Sequence, residues 1–374
     1  MEKVLLTSIC RPKQWKTIPK KNLLESGYPV YGANGIIGYH SEYTHKDPTL
    51  LIGCRGSCGS VIISEEKSYI NGNAMALDGL SENFDIVYLK YFFLMRGFQD
   101  VISGSSQPQI TGKGLSKVQI PLLPLIKQKK IAAILDAADA YRQKTKALIE
   151  KYDELKQSLF INMFGDPLTN PKGFGIRKLN EFIEVLVDVG SNGGNDWVSS
   201  NIKMKNEEDY ALMIRTVNLN KQDFKNNLKY VSERTYNLFK KTKVYGGEII
   251  MNKIGSAGKY WIMPNLNRPV SLGLNQLMMT FNNLDKTFFY YYYNTDYGRR
   301  LLNSKLNGAT TKSITKTALR DLDIFYPSDS LQNQFAERVQ AIEAQKEQAQ
   351  ASLAQAEDLF NSLLQRAFKG ELTS

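Results

Sequence analysis

Displacing the chain by 204 positions lays Gly104–Phe164 over Gly308–Phe368 without a gap, and the same residue recurs at 14 of those 61 positions. Average composition would give about 4 or 5 matches. The chain therefore holds two copies of one unit, and any fold assigned to it has to be built twice. The recurring residues include Gly104, Ile110, Thr111, Leu115, Ile120, Gln128, Leu159 and Phe164. A looser echo lies upstream, where Gly56-Ser57-Cys58-Gly59 parallels Gly255-Ser256-Ala257-Gly258, and Asn73 precedes an apolar run as Asn275 does.

Each copy ends in a long helical pattern. Ile134, Ala138, Tyr141, Thr145, Leu148, Tyr152, Leu155 and Leu159 advance in alternating steps of four and three, which predicts the seam of a coiled coil. Phe335, Val339, Ile342, Ala349, Leu353, Ala356, Phe360, Leu363 and Ala367 repeat the pattern, interrupted by Lys346. Pro121 and Pro124 precede the first helix and Gly165-Asp166-Pro167 ends it; Pro327 and Gly370 bound the second. Gln128 to Phe164 would make a rod of ~55 Å, more than a small domain needs for its own core. Antiparallel pairing of the two helices about a pseudo-twofold axis is expected, with a globular region near each end. The alternative is two separate amphipathic helices, each capping its own domain.

The segments before the helices read as short strands bounded by Gly, Asn and Pro, among them 28–32, 49–53, 60–63, 248–251 and 322–326. An aromatic helical stretch follows in each copy, at 88–98 and 288–297. Phe288–Tyr293 is suited to burial in a sheet–helix core more than to base stacking. The expected fold class is α+β: two mixed α/β domains at 1–125 and 166–328, separated by helices at 126–165 and 329–374.

Charge and chemistry then narrow the function. Lys+Arg 48 against Asp+Glu 37 leaves +11, and 165–328 alone holds 23 basic against 15 acidic residues. That balance favours a polyanionic partner, strongest in the second domain, although an anionic membrane surface fits charge alone. No apolar stretch is long enough to cross a bilayer, and the first residues turn polar too soon for a signal peptide, so a cytoplasmic protein is expected. Three cysteines cannot form a disulfide framework, which agrees with a reducing compartment.

Catalytic signatures are missing from the sequence. Gly112-Lys113-Gly114 lacks the glycine spacing and hydroxyl residue of a phosphate loop, and no dinucleotide glycine fingerprint follows a strand. Asn170-Pro171 continues as Lys172-Gly173, without the second proline and aromatic residue of an adenine methyltransferase loop. His40, His45, Cys54 and Cys58 offer zinc-type ligands, but their spacing is not a tight ligand pair and Cys58 aligns with Ala257. With two histidines in the chain, Ser-His-Asp or Cys-His catalysis has few ways to exist. The sequence points to binding.

Tyr28–Gly38 (YPVYGANGIIG), Gly104–Pro124 (GSSQPQITGKGLSKVQIPLLP), Gln128 and Ile131–Asp139 (IAAILDAAD) resemble the specificity subunits of Type I restriction-modification systems. In the second half Ala211–Leu219 (ALMIRTVNL), Ile314-Thr315, Asp323-Ile324 and Gln332 look similar to the same family. The resemblance implies two target-recognition domains, each reading half of a split, asymmetric DNA sequence. It also implies helices that bind two methyltransferase subunits, with restriction and motor subunits joining the complex. S-adenosylmethionine, ATP and Mg would serve those partners, with no cofactor or metal bound by this chain, no catalysis of its own and no membrane.

For DNA contacts, Lys and Arg suit phosphates, while Arg, Asn, Gln, Ser and Thr in loops suit base edges. The candidates are Arg55, Ser57, Asn73 and Gln107 in the first domain, and Lys253, Ser256, Arg299, Thr311 and Lys312 in the second. Gly56, Gly59, Gly255 and Gly258 suit tight turns, and Arg215 lies in a β-like run. The subunit-binding helices carry Leu135, Tyr141, Leu148, Tyr152, Val339, Ile342, Leu353 and Phe360. Two readings compete with this one: a stand-alone DNA methyltransferase or nuclease with unrecognised motifs, and a coiled-coil scaffold that ignores DNA.

Overall fold

Thr111 and Thr315, one repeat apart, each accept a backbone N–H with Oγ1, from Gly114 and Ala318 respectively, both at 3.1 Å. These caps start the short helices Gly112–Leu115 and Lys316–Arg320. The sequence repeat is thus a repeat of local structure. The computed structural model describes residues 2–104 and 107–372; Ser105, Ser106 and the last two residues of the tail lie outside the described residues.

The chain divides into two units, one made of residues up to Leu148 and from Ala349 onward, the other Ile149–Gln348. These limits differ from the sequence-based boundaries, because each unit takes one half of each long helix. In the first unit an antiparallel sheet runs in the order Arg11–Gln14, Ala74–Asp78, Leu50–Gly53, Val61–Ile63. The second unit repeats it as Ile183–Asp188, Gln276–Phe281, Ile249–Asn252, Tyr260–Ile262. A second small sheet in each unit contains one parallel pair: Tyr28–Gly32 with Tyr69–Ile70, and Ala211–Met213 with Val270–Ser271. Gln14 opposes Met75 as Asp188 opposes Leu277, so the registers correspond residue for residue.

The expected aromatic helices form at Ile86–Arg96 and Lys286–Asn294, where Asp85 and Asp285 each cap two backbone N–H groups. Phe288, Phe289, Tyr291, Tyr292 and Tyr293 are buried, in the core with Phe160, Phe164 and Phe325. The 211–219 run does not stay extended. It breaks after Met213 and becomes the helix Thr216–Lys221, with Arg215 at its N-cap position and its guanidinium donating to the Asn227 carbonyl.

The long helices span Leu125–Phe164 and Asp329–Lys369. Within each unit their segments pair antiparallel. In the first, Arg142 lies over the Phe360 ring and Lys146 meets Glu357 at 3.0 Å, so one helix descends as the other climbs. In the second, Lys346 binds Asp153 at 2.7 Å and Phe160 packs on Phe335. The seam of the first helix keeps Ala138, Thr145 and Tyr152 from the predicted stripe but takes the next residue in place of Ile134, Tyr141, Leu148 and Leu155. Leu135, Thr145, Lys156, Phe160 and Met163 are buried, whereas Tyr141, Leu148 and Leu155 are 55%, 43% and 48% exposed. Polar residues that find partners take the inner places. Arg142 lies over the Phe360 ring at 4.3 Å, the Thr145 hydroxyl donates to the Tyr141 carbonyl, and Lys156 pairs with Asp153 and Glu343. Lys346 likewise completes the seam, by pairing with Asp153, rather than interrupting it. Leu135, Val339 and Phe360 are buried in the chain's own cores, so they pack this chain, while Tyr152, Ile342 and Leu353 are half-buried. Among the described residues no helix is long and apolar enough to cross a membrane.

Candidate nucleic-acid interface

At one end of each four-stranded sheet the chain turns on the glycine motif. Gly56 and Gly255 have φ of +76° and +82° with open space at the missing Cβ, so the left-handed backbone conformation, not crowding, calls for glycine there. The turn is stitched to two other segments by the same hydrogen bonds in both units. Cys54 N–H donates to the Asn73 carbonyl at 2.9 Å, and Lys253 N–H to the Asn275 carbonyl at 2.7 Å. Ile110 N–H donates to the Cys54 carbonyl and Ile314 N–H to that of Lys253, each at 3.0 Å. Three distant stretches of sequence thereby meet at one exposed edge in each unit.

The structure brings most of the candidates together there. In the first unit Arg55, Ser57 and Asn73 are exposed on this edge. Gln107 is exposed just before Pro108–Ile110, the stretch in which Gln109 bridges to Arg55. In the second, Lys253 and Ser256 lie on the turn, and exposed Lys312 accepts Gly255 N–H with its carbonyl at 3.1 Å, with exposed Thr311 beside it. Arg299 is placed differently. It is exposed on the helix Asp296–Ser304, and its Nε donates to the Asn294 carbonyl at 2.8 Å.

Behind the second turn lies a polar cluster that sequence reasoning missed. The Thr216 hydroxyl donates to Asn252 Oδ1 at 2.7 Å, and Asn252 Nδ2 donates to Ser256 Oγ at 2.6 Å, which fixes the turn from a buried position. Beside it, Lys253 and Lys316 both donate to the buried Asp188 carboxylate, at 2.6 and 2.9 Å, and Ser191 Oγ donates to it at 3.0 Å. Burial alone would raise the Asp188 pKa, but the two lysines and Ser191 outweigh it and bring it down to about 2. A carboxylate held ionised in this way is no base near neutral pH. The signal for this cluster was present as a mismatch in the repeat, since Lys316 stands where the first copy has Gly112.

The zinc-type candidates are engaged elsewhere. His45 Nε2 lies 2.9 Å from Asp78 Oδ1, Trp15 Nε1 donates to the other carboxylate oxygen at 3.2 Å, and the Thr44 hydroxyl beside the His45 ring accepts Ile70 N–H. Cys54 Sγ accepts from Gln14 Nε2, and Cys58 Sγ donates to the Pro108 carbonyl at 2.9 Å. Burial pushes the Cys54 thiol up, away from the thiolate form that metal and nucleophile chemistry require. The exposed edges themselves offer hydrogen-bond donors and positive charge.

Comparison with known proteins agrees with this arrangement. The model of the Type I restriction modification DNA specificity domain matches twice, at residues 1–155 and 171–357. The chain is 22% identical over 348 residues to the Type I restriction enzyme MjaVIII specificity subunit of Methanocaldococcus jannaschii, covering 86% of this chain and 80% of that one. Its fold is similar to the crystal structure of the S subunit of a Type I restriction-modification system from M. genitalium. The TM-score is 0.61 at 16% identity, with 98% and 95% of the two chains covered. A second solved chain, from a study of Type I complex assembly and conformational transition, superposes with a TM-score of 0.57 at 15% identity, covering 99% and 98%.

Proposed function

The chain belongs to the Type I restriction-modification DNA specificity family, and from that premise we propose that it reads a bipartite, asymmetric double-stranded DNA target and positions two adenine methyltransferase subunits and the restriction subunits on it. The observation that carries this reading is one exposed edge built twice on the same backbone and furnished with different side chains. Arg55, Ser57, Asn73 and Gln107 line the first edge, and Lys253, Ser256, Thr311 and Lys312 the second. Equal backbones with unequal side chains suit two half-sites of different sequence, because the hydroxyls and amides can discriminate base edges by donor and acceptor pattern while the lysines suit phosphates. Arg299, exposed on the helix Asp296–Ser304, suits a backbone phosphate. This chain serves as the non-catalytic selector; S-adenosylmethionine, ATP and Mg belong to the chemistry of its partners.

Exposed Tyr141, Leu148 and Leu155, spaced seven residues apart, are among the apolar places on the first long helix open to those subunits, as are Ile126 and Ile161. Mapping methylated adenines in host DNA with and without the gene tests the reading. Two different short blocks separated by unread base pairs are expected. A continuous or palindromic motif, or no change in methylation, would overturn it. Methyl transfer by the purified chain alone would favour a stand-alone methyltransferase.

A further inference from the structure

In the second unit one carboxylate grips two ammonium groups at the edge of the sheet. The Asp188 side chain is 7% exposed, whereas Lys253 and Lys316 keep 36% and 33% exposure. The three groups together carry one net positive charge. Each ammonium has three donors. Among the bonds formed within the described residues, Lys253 directs one to Asp188, and Lys316 directs one to Asp188 and one to Ser191 at 3.0 Å. Donors remain on both lysines, on side chains already held in place.

The same three positions in the first unit are occupied by Gln14, Cys54 and Gly112, and Gln14 Nε2 there donates to Cys54 Sγ at 2.8 Å and the Gly72 carbonyl at 3.0 Å. The first unit thus has an uncharged closure where the second has an ionic one. A buried pair serving stability alone would be complete with one lysine for one carboxylate. The second lysine adds charge that the fold does not neutralise.

We propose that Lys253 and Lys316 form a contact site for one phosphate group of the DNA backbone, with Asp188 as the residue that positions them, and that the first unit has no equivalent contact. A free lysine is a mobile point charge on a flexible stem. Holding two of them by a shared carboxylate removes rotamer freedom before DNA arrives, so less is lost on contact. Ammonium groups lack the planar fork that reads a guanine edge in two bonds, which suits them to a phosphate, where contact sets register and carries no sequence information. The proposal rests on the DNA-reading function above.

The test is the salt dependence of binding by the full chain assembled with its methyltransferase subunits, on a duplex carrying the mapped target. Lys316→Gln keeps a donor for Asp188 and removes the charge. It should lower the slope of log affinity against log salt by about 0.9 and leave the base preferences of both half-sites unchanged, while Lys316→Arg keeps the slope. Lys253→Gln gives the same reading should a Lys316 variant fail to fold. Asp188→Asn leaves both charges but frees them, and should weaken binding at an unchanged slope. Stronger binding by Asp188→Asn would mean that the carboxylate only neutralises the lysines, and would overturn its positioning role. Wild-type slopes for both glutamine variants, with selective binding intact, would overturn the phosphate site alone. Failure of the wild-type complex to bind its target selectively would overturn the functional reading as well.

Discussion

Gln14, Cys54 and Gly112 close the sheet end of the first unit, while Asp188, Lys253 and Lys316 occupy the same places in the second. The long-helix segments differ in how deeply their charges sit, since Lys146 and Glu357 of the first unit pair while only half-buried and Lys156 of the second pairs from a buried position. The first unit buries Ile131, Leu135, Phe360 and Leu364 in its core, with Arg142 laid over Phe360. The second adds to Phe160, Phe335 and Val339 an ionic group of Lys156, Asp153, Glu343 and Lys346. At the sheet end one backbone therefore tolerates both an uncharged and a charged solution, because the Gln14 amide and the buried Asp188 carboxylate each find partners there. What stays constant between the units is hydrogen bonding to the main chain. Gln128 and Gln332, both buried, accept the N–H of Asp85 and Asp285 at 2.9 Å and donate back to main-chain carbonyls.

The largest effect should come from orphaning Lys156. Its two partners outweigh the burial that would lower its pKa and raise it instead. Replacing both Asp153 and Glu343 with alanine should cost about 3–5 kcal/mol, whereas Lys156→Met should be close to neutral. Denaturant unfolding checks both, and equal losses would mean that the charges, not their pairing, matter.

Next in size is the contrast between the two glutamines. Gln128 serves the Asp85 N–H and the carbonyls of Asn83 and Leu123, while Gln332 serves the Asp285 N–H and the carbonyl of Pro327. At roughly 1 kcal/mol or more for each stranded group, Gln128→Leu should cost about 3 kcal/mol and Gln332→Leu about 2. Hydrogen exchange, which separates the units, should show each loss in its own unit, and the reverse order would break the correspondence drawn here.

The smallest effect is the acid response of the second unit. The folded-state pKa of Asp188 lies near 2, below its ordinary value of 3.8, so its contribution is complete above about pH 4 and is lost as pH falls towards 2. The loss should be about 2 kcal/mol, and Asp188→Asn should flatten that part of the stability profile of the second unit. The first unit has Gln14 at this place and should lack the step. Unfolding at pH 5 and at pH 2.5 makes the comparison, and an unchanged profile in the variant would detach the step from Asp188.

How much was legible beforehand varies with how local each signal is. The turns at Gly56 and Gly255 and the caps at Asp85, Asp285, Thr111 and Thr315 are set by a few adjacent residues, and the repeat displayed most of them twice. The seam was legible only as a period. Ile134, Tyr141, Leu148 and Leu155 form as regular a stripe as the buried one, and the choice fell to the facing side chains, among them Phe360, Glu343 and Phe335. The Asp188 cluster was further out of reach, because its lysines lie 65 and 128 positions away in the chain.

The sequence by itself determined that there are two units, that each joins a strand-rich region to a long helix, and that a glycine turn with nearby donors occurs in both. Periodicity and repetition are properties of the chain order, so they survive without a structure. Only the tertiary structure decided which helix face turns inward, which of the candidate residues share an edge, and that Lys253 answers to a carboxylate. Those outcomes depend on pairings between residues far apart in sequence, whose energies arise only once burial has removed water from between them.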